Sequence, residues 1–213
     1  MIVRRTFLAA LAGLLASLAV SMPAMAGEKD PKAFVTSLAA TAMETMTAKG
    51  ISDLDRAAKF RALFTTEVDL AEIGRFVLGR HWKPPTTEQQ QQEFLRLFTD
   101  IVVFTWSNRF KDYGGDLRHT VVNVFPDPER GGFVVESKVE RERQPPIALQ
   151  WRLKLIEDGL RVTDLVVEGS SMAIHYRSEY AAVIQKHNGK VEGLLSDLRT
   201  KLAELGASTT KSN

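Results

Sequence analysis

A chain of 213 residues, with 44% hydrophobic residues and 28 Lys+Arg against 26 Asp+Glu, has the composition of one globular domain. It contains no cysteine, which removes disulfides, thiol nucleophiles and thiolate metal sites. The near balance of charge lacks the basic surplus with which a nucleic-acid binder neutralises phosphates.

Residues 1–26 read as a secretory leader: Arg4-Arg5, an apolar run from Phe7 to Val20, then Ala24-Met25-Ala26 as a small-x-small cleavage site. That run is 14 residues, short of the roughly 20 a membrane-spanning helix needs. The expected mature protein therefore begins at Gly27, outside the cytoplasm. Arg4-Arg5-Thr6-Phe7-Leu8 is also similar to a twin-arginine export leader, which leaves the export route open. The leader holds two basic residues and no acid, so the mature chain is formally neutral. A single domain is expected over 27–205, and the small, polar stretch 206–213 reads as a mobile tail.

Asp30-Pro31 starts a helix, with Phe34, Leu38, Ala42 and Met46 at helical spacing as far as Gly50. Ser52 caps a second helix carrying Phe60, Leu63 and Phe64. A third starts near Asp69 with Leu70, Ile73, Phe76 and Val77, and ends at Gly79. Pro84-Pro85 forbids continuation, and Thr87 to Gln90 is a capping box for a long fourth helix that keeps its period from Phe94 to Trp106, ending at Tyr113-Gly114-Gly115. From Leu117 the period changes to two. The runs Leu117–Phe125, Phe133–Arg141, Ile147–Ile156 and Leu160–Glu168 are strand-like, and the short turns between them predict an antiparallel meander. In the third run Ile147, Leu149, Trp151, Leu153 and Leu155 share one dry face, opposite Gln150, Arg152 and Lys154. Ser170-Ser171 caps a fifth helix that breaks at Asn188-Gly189, and Val191 to Leu202 forms a sixth. The expected fold is α+β, with helices packed on one face of a curved four-stranded antiparallel sheet.

His81, His119, His175 and His187 lie in separate elements, so no metal-ligand spacing arises. Neither a nucleophile elbow, a Gly-rich phosphate loop nor any cofactor motif is present, and no catalytic residue stands out. Asp164 is the acid that strand alternation places on the dry face. Such a carboxylate is either paired, with Arg177 as the expected partner, or a base acting on an apolar substrate in a small isomerase-like enzyme. Large apolar groups surround much of the fourth helix (Phe98, Ile101, Val102, Phe104, Trp106), more than one sheet face requires, which suits a fold wrapped around an apolar guest.

The segments Phe76-Val77-Leu78-Gly79-Arg80-His81-Trp82, Phe94 to Phe110, the strand around Trp151, and Asp164-Leu165-Val166-Val167-Glu168-Gly169-Ser170-Ser171-Met172 through Arg177-Ser178-Glu179-Tyr180 together resemble the MlaC family. These are periplasmic phospholipid-binding proteins, also described as toluene-tolerance auxiliary components of an ABC transporter. The resemblance implies a nuclear-transport-factor-2-like fold with an apolar cavity and no enzymatic activity. It further implies a carrier that shuttles a glycerophospholipid across the periplasm between an outer-membrane lipoprotein complex and an inner-membrane ABC transporter complex, maintaining outer-membrane lipid asymmetry. A hopanoid-linked sister group shares the architecture. The lipid-contacting residues expected are Phe76, Val77 and Trp82 around the third helix and Phe98, Ile101, Val102 and Trp106 on the fourth. On the sheet they are Val135, Val139, Leu149, Trp151, Leu153 and Val166, with Met172 at the start of the fifth helix.

Overall fold

Asp30 sits in an extended conformation and its carboxylate accepts from the backbone N–H groups of Lys32 and Ala33, which starts α1 (Pro31–Thr47). The Ser52 hydroxyl caps α2 (Asp53–Glu67) through the Asp55 N–H, and the Asp69 carboxylate caps α3 (Leu70–Leu78) through the Glu72 N–H. A 3-10 turn over Gly79–Trp82 leads to α4 (Glu88–Phe110). There Thr87 and Gln90 exchange side-chain and backbone hydrogen bonds at 3.1 and 3.3 Å, a reciprocal capping box. The computed structural model describes residues 29–110, 117–142 and 144–210. The expected leader, the Gly27 start and the Tyr113-Gly114-Gly115 end of α4 lie outside them.

Four strands follow as an antiparallel meander: β1 (Arg118–Asp127), β2 (Gly132–Arg141), β3 (Gln144–Ile156) and β4 (Gly159–Val167). A two-residue fifth strand, β5 (Ser170–Ser171), pairs with the end of β4, so the sheet has five strands in sequence order where four were expected. It escaped sequence reading because it is half of the tight turn that redirects the chain into α5 (Met172–Lys186). The final helix α6 runs Val191–Thr210, past Gly206, so the stretch expected as a tail is helical through Thr210.

Burial divides into separate cores. Phe94, Leu97 and Ile101 of α4 pack with Tyr180 and Ile184 of α5 and Leu194, Leu195 and Leu198 of α6. On the sheet, Val135, Leu153, Leu160 and Val162 lie beneath Phe34, Val35 and Leu38 of α1. Met46, Ala57, Phe60 and Val103 join α1, α2 and α4. Three apolar sides of α4 are thereby used, which accounts for the spread of large groups around it: successive residues turn by about 100°. Leu97 and Ile101 face the helical core, Val103 faces α2, and Phe98, Val102 and Trp106 face the space between the cores.

Candidate functional site

That space is a cavity of about 490 Å³, inside the roughly 300–1,000 Å³ range of small-molecule sites. Its helical wall comes from Leu38, Ala42, Met43 and Met46 of α1, Phe60, Leu63 and Phe64 of α2, Ile73 of α3 and Phe98, Val102 and Trp106 of α4. The sheet supplies Leu117 just before β1, His119, Val139, Arg141, Ile147, Leu149, Trp151, Leu165 and Val167, and α5 adds Met172 and Tyr176.

Strand register explains which side chains enter. Directly paired residues face the same way, so His119, Val139 and Ile147 form an outer row and Leu149 with Val167 a deeper one. Trp151 lies deeper still, its indole N–H donating to Ser137 Oγ at 2.9 Å. Beyond it the sheet is sealed under α1. Between Arg152 and Leu153 the β3–β4 register shifts, Leu153 pairing with Val162 and Arg152 with Asp164, so Thr163 is an extra residue. That bulge reverses the alternation of β4. Leu165 and Val167 turn into the cavity in place of the expected Val166, which is buried on the side that pairs with Gln150 and Ser171.

The same bulge resets Asp164. It pairs with Arg152 and not with the dry residues Trp151 and Leu153. The carboxylate lies 3.7 Å from Arg152 Nε, accepts from Ser171 Oγ at 2.6 Å and accepts from the Ala173 backbone N–H at 3.0 Å. The expected partner Arg177 is engaged elsewhere. It donates to the Phe76 carbonyl at 3.1 Å, its guanidinium lies 4.8 Å from the Phe76 ring centroid, and it crosses Gly79 so closely that a Cβ there would meet Nη2 at 3.0 Å. Arg177 thus caps the end of α3, where an orphan carbonyl attracts a cation. The stretch from Glu168 to Met172 works as a joint. Glu168 is tied to Ala148 through both its backbone N–H and its carboxylate, Ser171 caps α5 through the Ile174 N–H at 3.1 Å, and Met172 then enters the cavity.

Of the fourteen lipid-contacting residues expected from the sequence, Phe98, Val102, Trp106, Val139, Leu149, Trp151 and Met172 line this cavity. The other seven lie elsewhere, for local reasons. Val77 and Ile101 belong to the helical core, and Trp82 packs against it. Val135 and Leu153 are covered by α1, the bulge turns Val166 away, and Phe76 is exposed beneath Arg177. Sequence reading also missed the α1–α2 wall. Its signal was present: Ala39 and Met43 widen the Leu38-Ala42-Met46 stripe of α1 beyond what one interface needs. Arg56, buried on α2, donates to the carbonyls of Thr45, Met46 and Ala48 at the end of α1 and so fastens the two wall helices together.

Besides Tyr176 and the tryptophans, the polar side chains of the lining are His119, Arg141 and Asp164. Burial holds the His119 imidazole below its ordinary pKa, so it is neutral at pH 7. Among the described residues no cluster of His, Asp and Glu could hold a metal ion, and no helix is long and apolar enough to cross a membrane.

A family model described as "MlaC protein" matches residues 36–200 of this chain. No curated protein sequence matches it significantly. Among solved structures, a phospholipid-binding protein from Ralstonia solanacearum, in complex with a phospholipid, superposes with a TM-score of 0.71. It covers 82% of this chain and 98% of its own length at 22% identity, a likeness of fold.

Proposed function

Because this chain belongs to the MlaC family, we propose that its cavity holds the acyl chains of a glycerophospholipid and that the protein carries this lipid across the periplasm. The observation that supports the reading best is the cavity itself: aliphatic and aromatic side chains from five helices and four strands, kept open between separate cores. A solid α+β domain of this size has no need of such a void, since a gap in a core forfeits contacts on every side.

Two acyl chains carry about 30 methylenes, and hiding them from water is worth on the order of 20 kcal/mol at about 0.8 kcal/mol each. Free lipid in water is then negligible, so transport requires a protein interior. In a bilayer the chains are already dry, and exchange between membrane and cavity is close to balanced. Such a carrier sets no direction by itself. Direction falls to the complexes it visits, in our reading an outer-membrane lipoprotein complex and an inner-membrane ABC transporter complex, whose joint work maintains outer-membrane lipid asymmetry. Catalysis has little support from Asp164, whose oxygens are engaged by Ser171, Ala173 and Arg152 and which serves to anchor the start of α5.

Incubating the purified protein with vesicles of labelled phosphatidylethanolamine, then separating protein from vesicles, tests the carrier reading. Label on the protein, transferable to unlabelled acceptor vesicles, is expected. A protein that emerges unlabelled after prolonged incubation contradicts it.

A further inference from the structure

The cavity's sheet end carries charge that the acyl chains cannot use. Arg141 is the last residue of β2 and pairs with the exposed Gln144 of β3, so it stands at the outer edge of the lining. Among the described residues its guanidinium makes one hydrogen bond, Nη2 to the Pro145 carbonyl at 3.3 Å, and its Nε is buried without a partner. His119 stands on the neighbouring strand, paired with Val139, two residues before Arg141. Its Nε2 is likewise buried and unpartnered among the described residues. Buried polar nitrogens are ordinarily paired, and leaving one orphaned is costly. Two such groups side by side at the rim of an otherwise apolar cavity are placed for a ligand with oxygens to offer.

Two nearby acids, Asp164 and Glu140, do not fill that role. Asp164 is occupied by Ser171, Ala173 and Arg152, and Glu140 pairs with Lys138 at 2.7 Å. Resting on the carrier reading, we propose that Arg141, assisted by His119, binds the phosphate of the lipid headgroup. Guanidinium and phosphate match in geometry as well as charge, two parallel N–H donors meeting two oxygens. Acyl chains in the cavity and phosphate at its rim then fix the lipid's orientation, with the remainder of the headgroup left in water and unread. The class recognised is a phosphodiester on a diacylglycerol, whatever alcohol it carries.

The test offers the full-length mature protein phosphatidylglycerol vesicles doped with dioleoylglycerol, which has the same acyl chains and no phosphate. Both lipids on the recovered protein are quantified by mass spectrometry. Wild type is expected to be enriched in phosphatidylglycerol relative to the vesicles. Arg141→Gln should lower that enrichment about tenfold while the total of bound lipid stays the same, and Arg141→Lys should keep part of it. Unchanged enrichment in Arg141→Gln, or loss of both lipids alike in Arg141→Gln and Arg141→Lys, would overturn the assignment. Excess inorganic phosphate should leave wild-type enrichment intact; if it lowered enrichment to the Arg141→Gln level, the arginine would belong to a free anion. Wild type carrying neither lipid would overturn the carrier reading, and this proposal with it.

Discussion

At the residue scale, single polar groups hold the walls of an apolar space. Arg56 satisfies three carbonyls at the end of α1, groups that would otherwise be orphaned where the helix stops. Arg56→Leu should therefore destabilise the protein by about 2–3 kcal/mol, measured by urea denaturation, because charge-assisted bonds are lost inside the fold. Asp164→Asn should cost about 1–3 kcal/mol, leaving the lipid profile of the folded fraction as it was; normal stability with lost activity would point to catalysis instead. His119 makes stability depend on pH. Its imidazole is neutral and lowered by burial, so the stabilisation is complete above the ordinary imidazole value of about 6.5 and is lost as pH falls below it, where the unfolded chain takes up a proton that the folded site resists. His81, lowered by burial and then by Arg80, acts in the same window. Denaturation midpoints measured from pH 7.5 to about 5.5 should thus fall less steeply in His119→Gln than in wild type. The identity of Asp164's partner was not legible from sequence, because alternation along β4 holds only until Thr163 interrupts it, and no residue type there announces a bulge.

At the element scale, periodicity is a good guide to which segments are helix or strand and a poor one to what each apolar side meets. The Thr87–Gln90 box and the switch of period at Leu117 mark α4 and β1 from the letters alone. The apolar stripe of α1 carries no sign of whether it covers sheet or faces a void. It does both, with Phe34 and Val35 sealing Val135 and Leu153 while Ala42 and Met43 line the cavity. The half of the expected site that falls in the cavity comes from α4, β2, β3 and the first residue of α5. Of the half that does not, Val135 and Leu153 are taken by this sealing, Ile101 by the three-sided packing of α4 and Val166 by the bulge, while Val77 and Trp82 join the helical core and Phe76 lies exposed beneath Arg177. A charge placed on the cavity side of these elements must be desolvated beside acyl chains or expel them, at several kcal/mol. Leu149→Glu and Val102→Glu should accordingly lose lipid while remaining folded by circular dichroism. Thr120→Glu, on the exposed face of β1 and opposite Lys138, should retain it. Folded Leu149→Glu protein that keeps its lipid would place the guest elsewhere.

At the scale of the whole molecule, an expected export leader and a domain without cysteine accompany a void held open between three cores. Cleavage after Ala26 is expected to leave Gly27 as the first residue, which N-terminal sequencing of protein recovered from the periplasm would read directly. The central claim is that the void is a lipid site. Exchange with bilayers is nearly balanced and escape into water is not, so a carrier should leave the cell still loaded. Its most direct test is solvent extraction of the mature protein purified without detergent, with mass spectrometry of the extract and phosphate analysis against protein. The account predicts diacyl phospholipid in roughly stoichiometric amount, and protein recovered folded but free of lipid would contradict it.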